Sequence, residues 1–322
     1  MLMTNYIISA WRNIIRHKLF SIINIMGLAI GLAAVMLITL YVRYETNYDS
    51  FWKNADNIYR LHFSSTPPGQ NKTDYASTPP PIIGAMKQYF PEIDNFARIS
   101  IFNKPIINNG DIYHESLRTV DPSFIDIFDF KVLQGNLKAA MNSSNSIVLT
   151  KSTANRIFND RNPIGEIFTV NLGPTPRDYV VDAVIDDLPK NSRFKIDILI
   201  GFTEADWESV GYKDFWYSVP FLHSYFTLKD NAQIQDKLPD FMDRIFPTPQ
   251  GNDVAIKPSD HAFLSYRNIQ NLHLNYNGEF EFNQLKGDKK SILIFSIVAV
   301  LILLIASINF VNLSTARATQ RA

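Results

Sequence analysis

The chain has 322 residues, in which 31 basic and 31 acidic side chains cancel and 46% of residues are hydrophobic. Zero net charge removes the electrostatic footprint of nucleic-acid binding, so no nucleic acid is expected as a partner. The absence of cysteine excludes disulfides, Fe–S clusters and thiolate zinc sites, and the length predicts about two domains.

From the N-terminus, Tyr6, Ile7, Ala10, Trp11, Ile14 and Ile15 recur at three- and four-residue spacing beside Arg12, Arg16 and Lys18. The pattern predicts an amphipathic helix over residues 1–19 in the cytoplasmic interface, with a plain charged flank as the alternative. An apolar run follows from Phe20 to Tyr41, roughly 33 Å long as a helix against a hydrocarbon core of about 30 Å. It continues into Val42-Arg43-Tyr44, well beyond the apolar length of a signal peptide, so an uncleaved membrane helix is predicted over residues 20–41. Arg12, Arg16 and Lys18 before the span, against Arg43 after it, orient the N-terminus to the cytoplasm. Within the span Gly27 and Gly31 form a G-x-x-x-G pair, a candidate for close helix packing, although small residues are common in membrane helices generally.

Residues 42–287 read as mixed α/β. A short helix is expected from Tyr48 to Asn57, then a strand from Ile58 to Phe63 that Pro67-Pro68-Gly69 breaks. Thr78 is expected to cap a helix with prolines in its first turn and Ile82, Ile83, Met86 and Phe90 on one face. Asn109-Gly110 between two apolar runs signals a hairpin. There follow a short helix through Phe124 and Phe128, a strand Ile147-Val148-Leu149, and a helix capped by Thr150 that carries Ala154, Ile157 and Phe158. After the turn Asn162-Pro163-Ile164-Gly165 come strands near Ile167 to Asn171 and Tyr179 to Ile185. Phe221 to Leu228 reads as a strand, and Ile234, Leu238, Phe241, Met242 and Ile245 mark an amphipathic helix.

A second apolar run, Ile292 to Phe310, holds fourteen Leu, Ile, Phe and Val residues. It is roughly 29 Å long as a helix and gains roughly 4 to 8 kcal/mol on insertion, so a second membrane helix is predicted over residues 291–311. Asn309 and Asn312 at its end are costly in lipid and are expected to face protein or water.

The residues give no sign of catalysis. No G-x-x-x-x-G-K-[ST] occurs and none of the 13 glycines form G-x-G, so no nucleotide-phosphate cradle or other cofactor site is expected in this chain. The six histidines never pair at helical spacing, and His114-Glu115 lacks a zincin's second histidine, so no metal site is expected. Asp182, Asp186 and Asp187, and Asp126 with Asp129, read as turn and cap residues rather than an acid/base pair. Trp207, Trp216 and Tyr217 near Phe215 and Phe221 read as core packing, with a recognition groove as the alternative.

Several segments carry a family resemblance. Ser146-Ile147-Val148-Leu149-Thr150, Ala154, Phe158, Asn162-Pro163-Ile164-Gly165, Tyr179-Val180-Val181 and Asp187-Leu188-Pro189-Lys190-Asn191-Ser192 resemble the periplasmic core domain of MacB/FtsX-type ABC transporter permeases. Asn57-Ile58-Tyr59-Arg60, Asp121-Pro122-Ser123-Phe124 with Phe128 and Gly135, and Ala306 to Ser314 are similar to the same family. Asp182-Ala183 and Asn271-Leu272-His273-Leu274 depart from its usual residues.

The resemblance implies an α+β extracytoplasmic domain of two mixed α/β lobes between two transmembrane helices. A porter-like lobe would span about 42–124 and 220–287, and an inserted lobe about 125–219. Residues 312–322 would begin a cytoplasmic coupling segment, the chain corresponding to the front part of a permease. The implied function is mechanotransmission: ATP is hydrolysed on a separate ABC-type ATPase subunit, and a permease dimer in the bacterial inner membrane passes the motion to its periplasmic domains, with a periplasmic adaptor or outer-membrane partner. A two-span sensor with a periplasmic ligand-binding domain is the rival reading.

Overall fold

The computed structural model describes residues 12, 15, 18–67, 69–100, 105–108, 110–159, 161–172, 175–209, 211–217, 220–229, 232–246, 257–276, 278–281 and 287–319. The expected amphipathic helix over 1–19 lies almost wholly outside them. Two compact units emerge, one formed by residues 1–46 with 287–322 and the other by residues 47–286.

The first unit is built on α1 (Lys18–Thr46) and, at the far end of the chain, a helix over Lys289–Thr319. Their most apolar stretches, Ser21–Thr46 and Lys289–Asn309, have mean hydropathies of 2.4 and 3.0, and most of their large apolar side chains are exposed. A core helix of a soluble domain would be covered, whereas an uncovered apolar helix of this length matches a bilayer. Hydroxyls within the helices turn back onto their own backbone: Thr39 donates to the Val35 carbonyl at 2.8 Å, and Ser307 to that of Leu303 at 2.7 Å. Each removes a donor that lipid leaves unsatisfied.

The second unit is organised on a sheet of β1 (Ile58–Ser65), β2 (Thr73–Tyr75), β3 (Ile93–Ser100), β4 (Ile106–Asn108), β5 (Asp111–Tyr113), β6 (Leu117–Val120), β7 (Val132–Gly135), β8 (Ser146–Thr150), β9 (Ile167–Val170), β10 (Arg177–Ile185), β11 (Ile198–Gly201), β12 (Leu222–Leu228) and β13 (Ala262–Asn268). The order is β13-β1-β12-β3-β6-β11-β8-β10-β9-β4-β5, with β2 on β1 and β7 on β10. The β8/β10 and β6/β11 pairs are parallel.

The helices of this unit are α2 (Pro81–Tyr89), α3 (Phe124–Ile127), α4 (Leu137–Met141), α5 (Lys151–Phe158), α6 (Glu204–Ser209), α7 (Leu238–Ile245), α8 (Pro258–His261) and α9 (Leu272–Asn275); the C-terminal helix becomes α10. At the β1 end, Ile82, Ile83 and Met86 of α2 and Leu238, Phe241 and Met242 of α7 pack on Leu61, Phe63 and Phe226. At the other end Ala154, Ile157 and Phe158 of α5 pack on Ile147, Leu149 and Val181. A third cluster contains Trp52, Phe124, Phe128, Phe194 and Tyr225; because successive strand residues point to opposite faces, Tyr225 serves it while Phe226 serves the α2/α7 core.

Three local expectations differ. Residues 47–54 are turns, and only Ala55–Asn57 forms a 3-10 helix. Thr78 caps no helix: its backbone N–H donates to the Leu222 carbonyl and its hydroxyl meets Ser224 at 2.7 Å, while Pro80 stands at the N-cap of α2. The β4–β5 hairpin, expected in the porter-like lobe, pairs through Ile106 and Ile107 with β9, so sheet pairing joins it to the strands of the inserted segment.

Candidate functional site

Two features stand out, one in each unit. The first is the seam between α1 and α10. A Cβ on Gly31 would lie 3.3 Å from the Ala306 Cβ and 3.6 Å from Ile302, and one on Gly27 would lie 3.8 Å from Asn309 Nδ2. Gly31 is buried there, and further along Tyr41 meets Phe295 edge-to-face at 5.4 Å. The absence of a side chain at 31 therefore lets the two helices approach, whereas a Cβ at 27 would make only ordinary contact. The structure brings Gly27, Gly31 and Asn309 together; the side chain of Asn312 lies outside the described residues.

The second is a buried ionic anchor within the sheet domain, made of residues close in sequence to both membrane helices. Asp49, three positions after α1, is fully buried in a left-handed conformation (φ 56°). Its carboxylate accepts from the Arg193 backbone N–H at 3.0 Å and lies 3.4 Å from Arg193 Nε. Arg193 Nη1 lies 3.7 Å from Glu281, which receives both ends of the Arg60 guanidinium at 2.8 and 2.7 Å. Arg60 is fully buried on β1 beneath the Tyr276 ring, 5.2 Å away. The chain from Asp49 through Arg193 and Glu281 to Arg60 thus ties the segment after α1, the segment after β10 and residues 278–281 to β1, next to the edge strand β13.

The local sequence holds these groups in place. In the run Asp187 to Ser192, the Asp187 carboxylate accepts from Ser152 N–H at 3.0 Å, the Asn191 carbonyl accepts from Asp49 N–H, and the Asn191 amide donates to the Asn47 carbonyl at 2.8 Å. On the other side Ala76 N–H donates to the Glu279 carbonyl, and the Tyr276 hydroxyl donates to that of Tyr75 at 2.7 Å.

The electrostatics follow from burial. Burial opposes ionisation of Glu281, but Arg60 and Arg193 overcome it and hold the carboxyl down at about 2. Burial pushes Asp49 up to about 6 against the pull of Arg193. Burial, reinforced by Arg60, takes His223 down to about 3 and His62 well below its ordinary value, so both imidazoles are neutral at physiological pH. His223 Nε2 sits 2.8 Å from the Phe280 carbonyl, and His62 stacks on Tyr276 at 3.8 Å.

The remaining titratable candidates are structural. Asp186 pairs with Lys131 at 2.8 Å, Asp182 accepts from the Ser146 hydroxyl, and Asp129 caps the Lys53 N–H at 3.0 Å. Glu115 beside His114 pairs with Arg156. Among the described residues no group of three His, Asp or Glu is arranged to hold a metal ion. Sequence reading assigned no role to Asp49, Arg193 or Glu281; the one available signal was Arg60 and His62 alternating with Leu61 and Phe63 in a strand whose polar face ordinarily meets solvent.

A family model described as the MacB-like periplasmic core domain matches residues 21–238. A crystal structure described as a domain of a permease protein from Porphyromonas gingivalis superposes with a TM-score of 0.54 at 16% identity, covering 67% of this chain and 90% of that one, which shows a shared fold. The periplasmic region of MacB from Actinobacillus actinomycetemcomitans aligns at 12% identity over 66% of this chain and 92% of that one, TM-score 0.42. The extracellular domain of the noncanonic ABC-type transporter YknZ from Gram-positive bacteria aligns at 15% identity over 58% and 91%, TM-score 0.40. No curated protein sequence matches the chain.

Proposed function

Since the chain belongs to the MacB-like periplasmic core domain family, matched over residues 21–238, we propose that it is a permease subunit of an ABC transporter. It transmits motion driven by ATP on a separate nucleotide-binding subunit to its outer domain, for export or extraction of a substrate. The family match carries this reading. The two uncovered apolar helices support it. The N-terminus lies in the cytoplasm and residues 47–286 in the periplasm, the permease acts as a dimer, and the chemical work is done on the ATPase chain. A periplasmic adaptor or an outer-membrane component completes the path.

The test is a detergent pull-down of the full-length protein from its native membrane, with and without trapped ATP, read by mass spectrometry. A stoichiometric ABC-type ATPase is the expected result. Recovery of signalling proteins in its place would overturn the transport reading in favour of a two-span sensor.

A further inference from the structure

On the face of the sheet opposite Tyr225, a groove of about 490 Å³ runs between α2 and the side chains of Glu204, Tyr212, Lys213 and Trp216, with β3 as its floor. Its base holds Arg98, whose side chain is 2% exposed. Asp121, itself buried, binds this guanidinium through Nε at 2.9 Å and Nη2 at 3.0 Å, and also accepts from Trp207 Nε1 at 2.6 Å. The rings of Trp207 and Tyr212 lie 4.8 and 4.9 Å from its Cζ. One buried carboxylate already neutralises the cation. A second, Glu204, nevertheless reaches Nη2 at 2.9 Å from the groove side, and its side chain is 57% exposed. Glu204 is also gripped by the Tyr212 hydroxyl.

The two carboxylates differ in kind. Asp121 is locked by five contacts of the core, including the Arg98 backbone N–H at 2.7 Å. Glu204 stands in water at the start of a one-and-a-half-turn helix, where an exposed partner contributes little and exchanges easily. It sits where an incoming anion would sit. Around it the groove is apolar, with Phe96 and Trp216 as aromatic walls and Gly84 and Ala85 of α2 leaving room for a ligand body; at the edge Lys213 pairs with Glu208 and Lys87 donates to the Ile93 and Asp94 carbonyls at 2.7 Å.

We propose that this groove binds a carboxylate carried on an apolar body, which replaces Glu204 on Arg98 Nη2 while Phe96, Ala85 and Trp216 cover the apolar part. The C-terminal end of a peptide and a free organic acid share this chemistry. Binding releases Glu204 from Arg98, while Trp207 keeps α6 tied to Asp121. Nothing in this reading depends on coupling to an ATPase, so the pull-down and the binding experiment fail independently.

The test uses the full chain in lipid nanodiscs, titrated with N-acetyl-phenylalanine, its neutral amide and 4-phenylbutyrate, and followed by calorimetry and tryptophan fluorescence. The acids are expected to bind at least tenfold more tightly than the amide. Glu204→Gln, which removes the competing charge, is expected to tighten acid binding several-fold, and Gly84→Trp, which fills the groove from a position whose Cβ would meet nothing within 4 Å, to abolish it. N-acetyl-phenylalanine binding above 4-phenylbutyrate indicates a peptide terminus; the reverse order indicates a free acid. Equal affinity for acid and amide, or an acid affinity that Glu204→Gln leaves unchanged, overturns the proposal.

Discussion

Glu281 is the residue on which the ionic anchor turns, because among the described residues it is the carboxylate ion-paired with both Arg60 and Arg193. Replacing it with Gln leaves the fully buried Arg60 charge without its counter-ion, and a loss of about 3–5 kcal/mol is expected, to be measured by urea unfolding. A loss below about 1 kcal/mol would show that the pair is not what holds Arg60 in place. The pH dependence has a definite sign. The depressed carboxyl of Glu281 stabilises the fold fully above its ordinary value near 4.5 and loses that contribution as pH falls toward 2. Neutral His223 stabilises above about 6.5 and loses its contribution as pH falls toward 3. Asp49 acts oppositely: its raised value favours folding below 3.8, a contribution lost as pH rises through about 6. Stability is therefore expected to fall below pH 6.5, and His223→Gln to flatten the upper part of that slope; an unchanged slope in the variant would remove His223 as a cause.

At the scale of elements, the α1/α10 seam depends on volume. Gly31→Leu drives a side chain into Ala306 and Ile302 and is expected to lower the melting temperature of the chain in nanodiscs. The exchange Gly31→Ala with Ala306→Gly conserves volume and should restore most of it; failure of the exchange would mean that packing at this point is not limiting. Gly135→Ala is expected to distort β7, because a Cβ there would lie 1.9 Å from the Asp182 carbonyl oxygen and φ is +77°. Loss of near-UV dichroism in a still-helical protein is the signature to look for. The elements legible in the sequence were those with strong local signals: the two spans, α5 and α7 with their apolar faces, and the hairpin at Gly110. Strands β3, β6, β11 and β13 carried no such signal. Arg98 and Arg118 interrupt β3 and β6, and their burial is made possible by partners such as Asp121 that are distant in sequence. The anchor was illegible for the same reason, since Asp49, Arg193 and Glu281 come from three separate loops and acquire a role only through tertiary contact.

At the scale of the whole molecule, residues 47–286 form a unit with its own cores, and that segment expressed alone is expected to unfold in one cooperative transition in water, without lipid or detergent. A melt with no cooperative transition would make the membrane helices part of the folding unit. The strand order also bears on how the protein is made. β1 is among the first strands to emerge, yet its main neighbours are near the far end of the domain: Ile58 pairs with Thr227 and Tyr59 with Asn268. Closing loops of that length precedes any reward from pairing, so such topologies fold slowly. During synthesis the Arg60 and His62 face of β1 stays wet until β12, β13 and Glu281 have been made. The domain thus completes its native sheet only after nearly all of it has been synthesised, and until then β1 presents an open strand edge that invites pairing with another chain.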